Sequence, residues 1–583
     1  MILFKKEDRI IVRVDYSPEI VQKLKQIPGA SFDNWEWTMP VSSWPIAYEM
    51  LGVHPAHLYP YLREYVPAGL LPSVKAHHTG QALILTGNDR HLDYLITNLT
   101  VLCGFEEVSE EYKPGKGRVY TRNQQTLLEI KEVRQNSVTV AYPQGLHHRV
   151  KTFVSEWLDI PFKDTQAVQI PKPILKFPGQ PKYAARYYQE NIAAQAPFVR
   201  RATIVKPTGS GKTRTAGEII RKTGLPTVFL TDSKLLLKQT AKSLGETLNI
   251  PIGMIGDGLF DVQPVTVATI QTIFSILKNE DNILETKALQ NEIVSVKALL
   301  KGLEIPESIG DKRDAVIKML AGCDLLIVDE AHTLGADIIY QVASLAQPAM
   351  SFGLTATYQR EDERGIYIEA ATGPIWKPVN EQELMDQGYL LPVKVLVLPF
   401  NHGRKYEGRL RDMQKIKRLA IIDNNQRNQL LQQVCKHYGS KYKTLLLVNE
   451  QEHAAKLAQA LTTKFITGKT PSKEQEQAIK DLREGKINAL VATPLLEQGV
   501  DIPESQLLID GVPRRSVRRI IQAAGRIRRP SPGKDCAYIV TIMDIDGGMF
   551  EKQSLRKLHI LKQAGFEVHI LTNQTRQNTQ RSN

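Results

Sequence analysis

Short apolar runs recur between residues 200 and 360: "RATIVKP", "PTVFLTD", "VTVATIQ", "DLLIVDEAH" and "MSFGLTAT". Each is a short, largely apolar run of strand type, separated from the next by a longer stretch of helical period. Runs of this kind are strands buried on both faces, so the pattern predicts a parallel sheet covered by helices. A second series begins near residue 390 with "VKVLVLPF", "KTLLLVN", "INALVAT", "SQLLIDG" and "AYIVTIMD". The fold class is therefore α/β, with two parallel-sheet domains in tandem, expected over residues 176–383 and 384–571.

The rhythm before residue 176 is different. Residues 1–64 open on the alternating "MILFKKEDRIIVRV", followed by the helical "SPEIVQKLKQI", and predict a small α+β accessory domain. Residues 65–175 carry short strand-like runs ("QALILTG", "SVTVAYP") between turn residues and predict an α+β or β-rich accessory domain, a second candidate for binding DNA. The Pro- and Gly-rich "IPKPILKFPGQPKY" at 170–183 reads as the linker to the first parallel sheet. Within that first domain an insertion of helical period, about residues 276–321, predicts a helical hairpin packed on the sheet, with a lid or a strand-separating element as the alternatives. The polar tail 572–583 predicts disorder.

The chain has 583 residues, too many for one hydrophobic core. It carries 75 Lys+Arg against 62 Asp+Glu, a net charge of +13, which suits a polyanionic partner. The 4 cysteines are far apart and show no zinc spacing, so reduced thiols are expected. The N-terminus has no signal-peptide pattern, and no apolar run approaches the ~20 residues of a membrane span. The expectation is a soluble protein, cytoplasmic or nucleoid-associated, with no membrane partner.

Three stretches carry chemistry. In "KPTGSGKT" a strand feeds a glycine-containing loop that opens a helix. Pro207, Thr208, Gly209, Ser210 and Gly211 form the loop, Lys212 can reach phosphates, and the Thr213 hydroxyl can ligate Mg2+. The first small residue of the usual pattern is replaced by Lys206. In "LLIVDEAH" a buried strand ends in Asp329, placed to hold Mg2+, and Glu330, placed to activate water. In "QAAGRIRRP" Arg526 and Arg529 share one helical face, where they could meet the γ-phosphate held by the other domain. Backbone tracking would fall to Lys234 in "LTDSKLLLKQT" and to Thr269 and Gln271 in "ATIQT".

Taken in order, "RYYQ", "PTGSGKT", "DEAH", "LTAT", "ATPLLEQGVDIP" and "QAAGRIRR" resemble the motifs of superfamily 2 DEAH-box helicases and translocases, the XPB-like and phage UvsW-like branch above all. The resemblance covers about residues 180–570 and implies two RecA-like domains that bind ATP and Mg2+ between them. It implies that Gln189 reads adenine, with Arg186 beside it. Thr355 and Thr357, with His332, would couple hydrolysis to the grip on nucleic acid. Thr493 would touch the nucleic-acid backbone, and Gly499 and Asp501 the nucleotide. Gln522, Arg526 and Arg529 would complete the catalytic set with Lys212, Asp329 and Glu330. Tyr358 departs from the branch, which usually has proline there, while Arg360 and Asp362 follow as expected.

Residues 10–45 resemble, over fewer positions, the HARP domain of annealing helicases: Tyr16, "IPG", Phe32–Asp33 and "WTMP". That resemblance implies recognition of branched or forked DNA, although Trp35, Trp37 and Trp44 could simply fill a small core. Two patterns point away from metal. "MDIDGG" has no third ligand, and the adjacent pairs His77–His78 and His147–His148 point their rings apart if they lie on strands. The expected function is an ATP-dependent DNA helicase or translocase acting on duplex or branched DNA in repair, recombination or replication. The alternatives are a nucleotide-gated clamp or sensor, the motor subunit of a restriction or defence complex, and an RNA helicase.

Overall fold

The computed structural model describes residues 2–6, 9–13, 18–27, 30–33, 36–40, 74–78, 82–87, 89–113, 117–157, 160–164, 171–232, 234–278, 312–331, 336–356, 365–403, 405–406, 413–493, 505–511, 524–525, 527–531, 533–545, 548–563 and 565–571. Among these lie two large parallel sheets. The first has eight strands, in the order Leu259–Asp261, Gly253–Gly256, Val265–Thr269, Thr227–Thr231, Leu325–Asp329, Met350–Thr355, Arg201–Val205 and Ile375–Trp376. Every pairing is parallel except the Gly253–Gly256 and Leu259–Asp261 edge hairpin. The four runs around 227, 265, 325 and 350 are buried at every position, which is why they are continuously apolar.

Helices cover both faces. Tyr187–Val199, Lys212–Thr223 and Lys234–Leu248 contribute to one core, while Ile270–Leu277, Lys312–Ala321 and Ala336–Ala346 contribute to the other. The helix Lys312–Ala321 is the described part of the helical insertion, and its Val316, Ile317 and Leu320 are buried in the second core. Residues 279–311 of the insertion lie outside the described residues.

The second sheet has seven strands, all parallel: Lys464–Ile466, Ala489–Ala492, Thr444–Leu447, Leu507–Asp510, Ala537–Ile545, Val393–Asn401 and Glu567–Ile570. The protein is thus α/β with tandem RecA-like sheets, and its accessory segments precede them. Asp544, at the end of one strand, is a structural charge. It is fully buried against the Arg427 guanidinium and lies 2.8 Å from His402 Nε2. Burial by itself would raise its pKa, but Arg427 and His402 overcome that and hold the carboxyl below its ordinary range.

At the N-terminus, Ile2–Lys6, Arg9–Arg13, Glu36–Pro40 and Ser31–Asp33 form a four-stranded antiparallel sheet beside the helix Pro18–Gln26. Trp37 is buried there with Leu24 and Met39, so this tryptophan packs a core, whereas Phe32 is exposed. Trp35 and Trp44 lie outside the described residues.

A five-stranded mixed sheet follows, in the order Phe162–Asp164, Val74–His78, Leu83–Gly87, Ser137–Ala141 and Glu129–Arg134, with the helix Asp89–Leu102 packed on it. A hairpin of two long strands, Gly104–Lys113 and Gly117–Thr126, leaves it. This accessory core does not close on itself. It continues into Ile366 and Ala370 of the helix Gly365–Thr372, which belongs to the first parallel-sheet domain. Arg149 Nη2 pairs with Glu369 Oε2 of that helix at 2.5 Å. No described helix is long and apolar enough to cross a membrane.

Candidate active site

The strand order brings the two motif-bearing loops to one edge. In the register of the sheet, Val205 pairs with Thr355 and Asp329 with Leu354, so the loop after Arg201–Val205 opens beside Asp329 and Glu330. The intervening strand Met350–Thr355 separates the two, and the backbone N–H of Lys206 donates to Thr355 O at 2.9 Å. Thr355 itself is buried at the end of that strand.

The loop turns on glycines that adopt left-handed conformations, Gly209 at φ 87° and Gly211 at φ 74°. Gly211 is the N-cap of Lys212–Thr223 and supplies no side-chain cap, so the first-turn N–H groups of this helix face the loop without one. A Cβ on Gly211 would stand 2.7 Å from Gln189 Nε2. A loop of this shape, ending on an uncapped helix terminus, fits phosphate oxygens. Lys212 Nζ lies 2.7 Å from Glu330 Oε1. Asp329 is buried, and its Oδ1 accepts the Glu330 backbone N–H at 3.0 Å. Its carboxyl is pushed up, first by burial and then by the charge of Glu330, with Lys212 opposing. Two neighbouring acids at a buried strand end, one of them paired with Lys212 at the start of the helix, fit a divalent cation.

Lys206, the residue that breaks the usual loop pattern, is fully buried. Its ammonium sits 4.8 Å from the Tyr188 ring centre and donates to the Thr215 hydroxyl. Burial, then the charges of Lys212 and Arg186, lowers its pKa to about 7. Gln189 is also buried and fully engaged. Its Oε1 accepts the Arg186 N–H at 2.9 Å, and its Nε2 donates to Ser210 O at 3.2 Å and to Gly211 O at 3.4 Å. Tyr188 adds a hydrogen bond to Ser210 O at 2.8 Å. The Tyr188–Gln189 pair thus props the phosphate loop from behind, a role the sequence reading did not assign. The Arg186 guanidinium stacks over Tyr389 at 4.7 Å.

The second domain meets this loop directly. A Cβ on Gly209 would lie 2.8 Å from Gly525 O and 3.6 Å from Arg529 Cγ. One on Gly525 would fall 1.6 Å from Thr208 Oγ1. Arg528 points elsewhere: it is buried, its Nη1 pairs with Glu381 Oε1 at 2.5 Å, and its Nε donates to Leu391 O at 3.2 Å. Of the arginines in "RIRRP", one is therefore tied to the linking helix Glu381–Asp386, while Arg529 stands against the phosphate loop.

The expected nucleic-acid residues are scattered more widely. Lys234 is exposed and 3.6 Å from Asp257 Oδ1. Thr269 is buried at the N-cap of Ile270–Leu277, its hydroxyl 2.6 Å from that of Thr272, while Gln271 is exposed. Thr493 is buried, its N–H donating to Ile466 O at 3.1 Å. His332, Thr357, Tyr358, Arg360, Asp362, Gly499, Asp501, Gln522 and Arg526 lie outside the described residues.

A glycine-loop sheet, capped across a cleft by an arginine-bearing segment of a second parallel sheet, defines a two-domain P-loop NTPase motor. The comparisons sharpen this. Residues 182–360 match the family described as type III restriction enzyme, res subunit, and residues 426–531 match the helicase conserved C-terminal domain. "Putative helicase 22" of Sulfolobus islandicus filamentous virus is 23% identical over 479 residues, 78% of this chain and 77% of its own. "DNA 3'-5' translocase XPB2" of Sulfurisphaera tokodaii is 23% identical over 400 residues, 62% of this chain and 81% of its own. The crystal structure of T4 UvsW superimposes with a TM-score of 0.36 and 14% identity, covering 85% of this chain and 98% of that one. The two matched helicase domains and these relatives make the chain similar to the XPB-like helicases and translocases, and they support an ATP-dependent enzyme of that class.

Proposed function

We propose that the protein is a DNA helicase or translocase that hydrolyses ATP in the cleft between its two parallel sheets, and that its accessory domains direct it to branched or forked duplexes. The observation that carries the motor reading is the seating of Gly525 and Arg529, from the second domain, on Thr208 and Gly209 of the phosphate loop. DNA as the track follows the XPB2 relative, a DNA 3'-5' translocase, and suits the net charge of +13.

Each residue then has a task. The loop 207–211 and the first turn after it cradle the phosphates. Lys212 exchanges Glu330 for the γ-phosphoryl oxygens, which frees the Glu330 carboxylate to take a proton as water attacks the γ-phosphorus and the β–γ bridging oxygen leaves with ADP. Thr213 and Asp329 would hold Mg2+, which supplies charge neutralisation at the β- and γ-oxygens. Arg529 and Arg526 would add positive charge, and Gln522 a hydrogen-bond donor, from the second domain when the sheets close, and this makes hydrolysis depend on domain position. Thr493 and the termini around Lys234 and Gln271 face the DNA backbone.

Steady-state ATP hydrolysis with no nucleic acid, single-stranded DNA, blunt duplex, forked DNA and RNA, at one salt concentration, tests the reading. Glu330→Gln should abolish turnover while leaving ATP binding. Stimulation by forked DNA above all others supports the accessory domains as branch readers. Equal stimulation by every DNA removes that part, and stimulation by RNA alone overturns the DNA track. Displacement of a protein roadblock separates a translocase from a clamp.

A further inference from the structure

The accessory domain holds a constellation that neither motor chemistry nor any motif uses. His78 ends the strand Val74–His78, His147 begins the helix His147–Lys151, and Asp164 ends the strand Phe162–Asp164. One histidine from each adjacent pair is brought to the same carboxylate. The expectation that the paired rings point apart assumed strands, but His147 starts a helix, and the ligand set crosses between the pairs. We propose that His78, His147 and Asp164 form a binding site for a single divalent transition-metal ion of the zinc class, which fastens the last strand of the accessory domain to its sheet.

The ligand atoms lie close enough together to share one ion. Asp164 Oδ1 is 3.5 Å from His78 Nδ1, and Oδ2 is 3.0 Å from His147 Nε2. One ligand atom from each of the three residues lies within 4.8 Å of the others. Ligands bound to zinc at its usual bond length of about 2.1 Å are separated by about 3.4 Å along a tetrahedral edge, so small side-chain rotations suffice to seat the ion.

An outer partner is also in place. Tyr142 OH is 3.1 Å from His147 Nδ1. With Nε2 on the metal, Nδ1 carries the proton and donates it to the tyrosine oxygen, an arrangement that fixes a ligating imidazole in one tautomer. The His78 and His147 rings stand 4.4 Å apart between centres. Exposure is graded, at 5% for the His78 side chain, 22% for His147 and 27% for Asp164. That leaves one open side for entry and for a water as fourth ligand. Lys151 Nζ, 3.9 Å from Asp164 Oδ2, is a positive charge beside the site and tempers affinity. Two imidazoles and a carboxylate select zinc, cobalt or nickel over Mg2+ and Ca2+, which prefer all-oxygen sites.

The position gives the ion a purpose. Among the described residues, Phe162–Asp164 is a three-residue edge strand paired with Val74–His78. Among the described residues it is also the last strand before the motor's first helix, Tyr187–Val199. An ion held by both strands and by the intervening helix resists peeling when the motor pulls on that end.

The test uses the full-length chain, stripped with chelator and titrated with Co2+. One equivalent should bind and develop the intense visible bands of a tetrahedral site, which Zn2+ should bleach and millimolar Mg2+ should not. Asp164→Asn and His147→Gln should each weaken binding at least about tenfold, the usual scale for a lost ligand or partner. His77→Gln and His148→Gln, beside the site, should not. Basal ATP hydrolysis of all four variants, equal to that of the parent, verifies folding. Zinc should also raise the melting temperature of the parent and not of Asp164→Asn. Absence of tetrahedral bands in the parent, or binding equal in Asp164→Asn and His147→Gln, means an adventitious ion only and overturns the proposal.

Discussion

Replacing Gly525 with alanine puts a methyl group where Thr208 already stands. The new Cβ would lie 1.6 Å from Thr208 Oγ1, 1.9 Å from its Cβ and 3.0 Å from its Cα. Carbon atoms in contact rest about 3.5–4.0 Å apart, so the clash with the Thr208 Cβ is on the order of 1.5–2 Å deep. Rotating the threonine moves Oγ1 but neither Cβ nor Cα, so relief must come from withdrawal of one backbone from the other. Arg529, four residues on, moves with Gly525. A misplacement of about 1 Å at a reacting centre costs about 10²-fold, so the turnover number for ATP should fall at least about 100-fold. The phosphate loop belongs to the other domain, so binding of a fluorescent ATP analogue should change by less than about threefold. The melting temperature should stay within about 2 °C, since Gly525 lies at a domain contact and not in either sheet. The assay is steady-state hydrolysis at saturating ATP and DNA, with analogue binding and thermal melting as controls. A turnover number within threefold of the parent would show that the two sheets do not meet in this way during hydrolysis.

Four further predictions rest on other contacts. Arg529→Ala should lower turnover by about 10³-fold with an unchanged melting temperature, as for other arginines that neutralise a phosphoryl transition state. Arg528→Ala should instead destabilise by about 1–3 kcal/mol through loss of its bonds to Glu381 and Leu391, measured by urea unfolding; an equal effect of both variants on turnover would refute the division of labour. Gly145→Ala would place a Cβ 2.0 Å from Glu369 O and 2.6 Å from Ala370 O, both backbone, and should undock the accessory domain from Gly365–Thr372. Basal hydrolysis should persist while stimulation by forked DNA falls, and unchanged stimulation would sink the idea. Lys206→Met should stabilise most near and below neutral pH. The folded pKa of about 7 lies under the unfolded value of about 10.4, so the unfolded chain binds more protons between them. The penalty removed is on the order of 4 kcal/mol at pH 7 and about 1 kcal/mol at pH 10, and a gain that grows with pH would contradict it.

The motor is legible in local patterns along the chain. Parallel strands buried on both faces are written as continuous apolar runs, and a phosphate loop needs its glycines, lysine and threonine next to one another in the chain. Such signals are local: Gly209 and Gly211 lie in the loop between a strand and the helix that Lys212 opens, and Asp329 and Glu330 stand at the end of another strand. Tertiary structure decided the rest, because the deciding contacts join residues far apart in the chain. Three clustered arginines look alike in the text, yet Glu381, more than a hundred residues upstream, claims Arg528 and leaves Arg529 to the loop. The engagement of Gln189 with Ser210 and Gly211, and the burial of Lys206 beneath them, depend on how one helix packs behind the loop. The accessory core closes only with Ile366 and Ala370 of the motor. The His78, His147 and Asp164 cluster carries no spacing rule at all, because a strand, a helix and an edge strand deliver one ligand each. Local pattern encodes what a segment becomes, while the side chains it meets are set by packing.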